Sequence, residues 1–145
     1  MSLDDLYRRV IMDHSQKPRN RGRIEEGAVS VDLNNPTCGD RISIQMVVDE
    51  GKIREAKFLG EGCSISMASA SMMTEAVKGL TLDEALHLVD LFSRMMQGGE
   101  VDPEAFPLED IEALQGVAKF PARIKCATLA WKALEKGAKE SAEKG

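Results

Sequence analysis

The alternation Ile42, Ile44, Met46 and Val48, ended by Asp49-Glu50-Gly51, constrains this chain more than any other stretch. A period of two sends those four side chains to one face of a strand, and that face needs a cover. Asp49-Glu50-Gly51 suits a tight hairpin turn with Gly51 in the left-handed position. A returning strand follows, roughly Ile53 to Leu59. An earlier alternation, Val29, Val31 and Leu33 against Ser30, Asp32 and Asn34, supplies a third strand. The expected sheet is a three-stranded antiparallel meander.

The cover comes from segments with helical spacing. Leu3, Leu6, Tyr7, Val10 and Ile11 form a first stripe, ended by Lys17-Pro18 and Gly22. Residues 64 to 78 are rich in small side chains and Met and stop at Gly79. Thr81-Leu82-Asp83-Glu84 is a capping box. The helix it opens carries Ala85, Leu86, Val89, Phe92 and Met96 and closes at Gly98-Gly99. A short helix is expected from Pro107 to Leu114, with a stop at Gly116. Pro121 suits the first turn of a last helix. Its stripe is Ile124, Ala127, Trp131 and Leu134, with Gly137 as the expected C-cap and a frayed tail over residues 139–145. There is no internal repeat and no linker. The whole chain, 1–145, therefore reads as a single α+β domain, a three-stranded antiparallel sheet with helices packed on it.

Composition enters as a filter. With 19 basic and 24 acidic residues the net charge is −5, which argues against general nucleic-acid binding. The start, Met1-Ser2-Leu3-Asp4-Asp5, is not a signal peptide, and no apolar run approaches the 18 or so residues of a membrane span. A cytoplasmic protein without membrane contact is expected. Charge is unevenly spread, however. Residues 8 to 23 hold six basic side chains against Asp13 alone, and residues 100 to 112 hold six acidic ones with no basic residue. These stretches are either solvated faces or docking surfaces, the basic one meeting an acidic partner.

Three cysteines, Cys38, Cys63 and Cys126, cannot all pair within the chain. In a cytoplasmic protein an odd set points to metal or thiol chemistry rather than a disulfide framework. No CxxC pair is present, so a shared site has to be assembled by the fold. The meander does this. Cys38 and Asp40 lie in the loop between the first two strands, and the third strand runs back to deliver Gly60-Glu61-Gly62-Cys63 to the same edge. Cys63 also precedes a helix, with Ser64 as its expected cap, and a helix N-terminus favours the thiolate. Cys126 sits early in the last helix. If that helix crosses the loop end of the sheet, three sulfurs and one oxygen form a set that suits zinc or an iron–sulfur cluster. The alternative is three unrelated thiols.

Other features carry less. Gly60-Glu61-Gly62 lacks the longer glycine pattern of a phosphate loop and reads as a turn that aims Cys63. Met72-Met73 and Met95-Met96 read as core filling. His87 falls on a polar helix face, and His14, at a helix end in the basic stretch, is a candidate partner contact.

The stretches "VIMDHSQKPRNRG", "DLNNPTCGDRI", "GEGCSISMASASMM", "MMQGGE" and "ALQGVAKFPARIKCATLAWKAL" resemble the IscU/NifU-N family of iron–sulfur assembly proteins, and within it the SufU branch. The resemblance covers nearly the whole chain. It implies that Cys38, Asp40, Cys63 and Cys126 form one metal site. Scaffold members carry His-Cys where this chain has Lys125-Cys126, so their histidine ligand is absent. Residues 99 to 116 read as the insertion of the SufU branch. Both features favour a zinc-dependent sulfur acceptor, with one zinc per chain, that serves a PLP-dependent SufS-type cysteine desulfurase. Cys38 is then the acceptor. Arg41, Arg123 and Lys125 either offset the charge of a zinc held by three thiolates and a carboxylate, or are ordinary surface cations. The alternatives are a scaffold for a [2Fe–2S] cluster and a structural zinc module that binds the desulfurase. On its own the protein is expected to be a monomer.

Overall fold

Each apolar alternation becomes a strand in the computed structural model, which describes residues 3–24, 27–35, 39–99 and 109–144. Strands β1 (Val29–Asn35), β2 (Asp40–Asp49) and β3 (Lys52–Glu61) form an antiparallel sheet in the order β1-β2-β3. Val31 lies opposite Ile44 and Ile44 opposite Phe58, so their side chains share one face. With Ile42, Met46 and Ala56 they are buried as the floor of the core. At the hairpin, Glu50 and Gly51 both take positive φ, 53° and 77°. Two successive positive values match the twist of the flanking strands.

Two helices cover that floor. Helix α2 (Ser64–Val77) packs on β3, and α4 (Pro121–Lys144) lies across β1 and β2. Helix α1 (Leu3–Gln16) packs on α2, and α3 (Leu82–Met96) packs on α4. A 3₁₀ segment, Glu109–Lys119, bridges α1 and α4. Phe92 of α3 stacks on Trp131 of α4 with ring centroids 4.3 Å apart. The paired methionines are core filling as expected: Met72, Met73, Met95 and Met96 are all buried.

Helix α2 is enclosed on almost every side from Ser66 to Val77, with Glu75 the exception. This explains its small residues, which let a helix approach neighbours in several directions. A buried hydroxyl must be paired, and those of α2 are. Ser69 donates to the Ala127 carbonyl (2.6 Å) and accepts from Trp131 Nε1–H (2.9 Å), which locks α2 to α4. Ser71 accepts from the Arg19 N–H (2.8 Å) and pairs with His14 Nδ1 (2.7 Å).

Several expectations are corrected. His14 is buried against Ser71, so it is not a surface contact for a partner, whereas His87 is exposed as expected. In α3, Leu88 faces the core and Leu86 is only half-buried. The 3₁₀ segment does not stop at Gly116 but runs to Lys119, and the expected start at Pro107 lies outside the described residues. Gly137 is not a C-cap: α4 continues to Lys144, so the residues expected to fray from Lys139 are helical to that point. The physical reason is packing. A Cβ on Gly137 would stand 2.7 Å from Met46 Cε and 3.3 Å from Val31 Cγ2. This glycine lets α4 lie close on the sheet. Residues Asn20 to Gly22, past the end of α1, run beside β3: the Gly22 N–H donates to the Phe58 carbonyl (2.9 Å) and the Phe58 N–H to that of Asn20 (3.0 Å). That contact covers an otherwise open sheet edge.

Candidate metal centre

The strands bring their ends to one place. Asn35, the last residue of β1, lies opposite Asp40, the first of β2, and Arg41 lies opposite Glu61, the last of β3. The two strand ends are tied by the Gly39 N–H donating to the Asn35 carbonyl at 2.8 Å. Cys38, which falls between Asn35 and Asp40 in the sequence, lies outside the described residues. Beyond Glu61, Gly62 and Cys63 carry the chain into α2.

Asp40, Cys63 and Cys126 meet at this edge, with one carboxylate oxygen and two sulfurs all within 4.8 Å of one another. Asp40 and Cys126 are buried, each about 1% exposed, and Cys63 is half-buried. Cys126 reaches the site because Ser69 fixes the next residue, Ala127, against α2. The topology expected from the sequence therefore delivers three of the four residues proposed as ligands. The three cations are all exposed: Arg41 beside Asp40, and Arg123 and Lys125 in the first two turns of α4.

The Asp40 carboxylate is held by the start of α2. Its Oδ1 accepts the Cys63 N–H at 3.1 Å, and its Oδ2 accepts the Ser66 hydroxyl at 2.7 Å. Gly62 makes this possible. A Cβ there would fall 2.4 Å from Asp40 Oδ1, so any side chain would push the carboxylate away. The glycine read as a turn residue thus has a second duty, close approach of backbone to a carboxylate, while Gly60 and Glu61 belong to β3 itself. Oxygen is the odd member of a sulfur-rich set, yet Asp40 is not loosely held, because both its oxygens are engaged.

Cys63, not Ser64, is the N-cap of α2, and its side chain makes no regular capping bond. Burial pushes its thiol up. The Ser66 hydroxyl (3.5 Å), the Ser66 backbone N–H and the Cys126 thiol act the other way, and together they hold it below the ordinary cysteine value despite the Asp40 carboxylate. The shift is towards the thiolate, the form that binds a metal. Ser66 was missed by reasoning from sequence. The available signal was its spacing, three residues after an N-cap cysteine, where a side chain returns to the helix start.

The donor set fits zinc. Around a tetrahedral ion with Zn–S bonds of about 2.3 Å, sulfurs stand about 3.8 Å apart. Atoms within 4.8 Å need only a small inward rotation to reach that spacing. No histidine belongs to this group among the described residues. An oxygen already accepting one hydrogen bond keeps a lone pair for a metal.

A family model described as the NifU-like N terminal domain matches residues 6–127. The "Zinc-dependent sulfurtransferase SufU" of Bacillus subtilis (strain 168) is 64% identical over 136 residues, which cover 94% of this chain and 91% of that protein. The "Iron-sulfur cluster assembly scaffold protein IscU" of Streptococcus pyogenes serotype M1 is 53% identical over 140 residues, covering 97% of this chain and 87% of that one. Among solved structures, the "Putative iron-sulfur cluster assembly scaffold protein for SUF system (FiSufU)" of Fervidobacterium islandicum AW-1 superposes with a TM-score of 0.84 at 36% identity, covering 89% of this chain and 93% of that one.

Proposed function

This chain belongs to the NifU-like N-terminal domain family, and on that premise we propose that it is a zinc-dependent sulfurtransferase. It accepts persulfide sulfur from a PLP-dependent, SufS-type cysteine desulfurase and passes it on for iron–sulfur cluster assembly. The observation that carries this reading is the convergence of Asp40, Cys63 and Cys126 at one sheet edge. The 64% identity to the Bacillus sulfurtransferase supports it. Cys38 completes the ligand set and is the acceptor. Zinc, when bound, keeps the thiol ligands deprotonated at neutral pH. The Cys38 thiolate attacks the outer sulfur of the partner's persulfide. A new S–S bond forms on Cys38, the partner's S–S bond breaks, and its cysteine leaves as a thiolate. Arg41, Arg123 and Lys125 surround this end as exposed cations and moderate the negative charge of the ligands. Among the described residues no helix is long and apolar enough to cross a membrane. The net charge of −5 argues against general nucleic-acid binding, and the reading takes the chain as a single-domain, cytoplasmic monomer that does not bind membranes.

The test is sulfur transfer from a desulfurase followed by mass spectrometry on each cysteine. The extra sulfur is expected on Cys38, and Cys38→Ser should abolish acceptance. Sulfur found on Cys63 or Cys126 in zinc-loaded protein would show that Cys38 is only a ligand. A second reading, a scaffold for a [2Fe–2S] cluster, is favoured by the 53% identity to the streptococcal scaffold protein. Metal analysis of protein purified without oxygen separates the two: one zinc per chain supports the transferase, iron with acid-labile sulfide the scaffold.

A further inference from the structure

Ser66 is a buried side chain that touches two members of the centre. Its hydroxyl is about 1% exposed, donates to Asp40 Oδ2 at 2.7 Å and lies 3.5 Å from Cys63 Sγ. A hydroxyl has one proton to give. The carboxylate, at 2.7 Å, is its main acceptor through a short charge-assisted bond, and the Cys63 sulfur, at 3.5 Å, shares the same hydroxyl more weakly. The second oxygen of Asp40 is taken by the Cys63 N–H. Both anchors of a residue on β2 therefore come from the first turn of α2.

We propose that Ser66 is a positioning residue of the metal centre: through its bond to Asp40 Oδ2 it sets the carboxylate so that an oxygen faces the Cys63 and Cys126 thiols as a metal ligand. The inference rests on the zinc reading above. Residues that orient a ligand from behind commonly contribute 10- to 100-fold to metal affinity. A carboxylate held at both oxygens is also a fixed corner. Ligand exchange during sulfur acceptance then falls to a thiolate.

Zinc affinity is measured by competition with a chromophoric chelator for the wild type, Ser66→Ala, Asp40→Ala and the double variant. Visible spectra of the cobalt-substituted proteins are recorded alongside. Ser66→Ala should weaken zinc binding by about 10- to 100-fold and shift the cobalt bands towards those of Asp40→Ala. In the Asp40→Ala background it should change affinity by less than about 3-fold, because Ser66 acts through Asp40. Ser66→Thr keeps the hydroxyl and should lie nearer the wild type than Ser66→Ala. It also keeps the question answerable if the alanine variant does not fold. If the wild type binds zinc and Ser66→Ala binds it equally well with an unchanged cobalt spectrum, the positioning role is overturned while the zinc reading stands. Equal losses in the two backgrounds, or a threonine variant as weak as alanine, overturn it as well. A wild type that binds neither metal overturns the zinc reading and this inference together.

Discussion

Helices α2 and α3 begin in different ways. At α3 the cap is local: Thr81 Oγ1 accepts the Glu84 N–H at 3.1 Å, and the Glu84 carboxylate accepts the Thr81 N–H at 3.0 Å. Two residues three apart satisfy each other, and nothing else is needed. At α2 the N-cap is Cys63, which makes no capping bond of its own, and the first turn is served by Asp40, 23 residues earlier for Cys63 and 26 for Ser66. A local cap does no more than start a helix. A remote one ties the helix start to a strand end, and here it gathers a carboxylate and two thiols in one buried place. The difference marks α2 as the functional helix and α3 as cover.

Substitutions at the two starts test the contrast. The largest effect is expected for Asp40→Ala. It leaves the Ser66 hydroxyl and the Cys63 N–H without their acceptor, at about 1–3 kcal/mol for each buried group. Urea denaturation of the zinc-free protein should show a loss of about 3 kcal/mol. A loss below about 1 kcal/mol would mean that water replaces the carboxylate, and the remote cap would not be what holds α2.

Gly62→Ala comes next, at about 2 kcal/mol, because its Cβ would overlap the Asp40 carboxylate. The same substitution in an Asp40→Ala background should cost far less, since the clashing group is gone. Additive losses would place the strain elsewhere in the Gly62 backbone.

At the other helix, Thr81→Ala should cost about 1 kcal/mol, the usual value of a lost N-cap, and leave zinc affinity unchanged. A change in zinc binding would show that the two helix starts are coupled and the comparison is false.

The smallest effect is expected at Glu84. Hydrogen bonds from the Thr81 backbone and side chain lower its pKa. A carboxylate with a lowered folded pKa adds stability above its unfolded pKa and loses it as pH falls through the folded value. Glu84→Gln should therefore be slightly less stable than the parent near neutrality, and the difference should shrink away as pH falls through the folded pKa of Glu84, flattening a small part of the acid limb. Equal differences between variant and parent across the whole acid range would rule out this charge effect.

Much of this was legible in the sequence for a physical reason: the signals are local or periodic. The β2 alternation, the Asp49-Glu50-Gly51 turn and the Thr81–Glu84 box each act within a few residues, and each appears in the structure where expected. The convergence of Asp40, Cys63 and Cys126 was also foreseeable, because a meander returns its third strand to the edge where its first ended. The failures share the opposite character. Gly137 has the local signature of a helix end, yet contact with Met46 and Val31 keeps it within α4. His14 looks like a surface residue in a basic stretch, but Ser71, 57 residues away, gives its ring a buried partner.

The sequence by itself determined the elements, their order and which cysteines and carboxylate reach one edge, because periodicity, turn chemistry and strand return are properties of neighbouring residues. Only the tertiary structure decided how those groups are held. That Gly62 must be bare, that Ser66 and the Cys63 N–H engage both oxygens of Asp40, and that Ser69 sets the helix carrying Cys126 all follow from distances between segments remote in the chain. Hydrogen bonds and steric overlap act over about 3 Å, and no spacing along the sequence encodes such a distance until the core has closed.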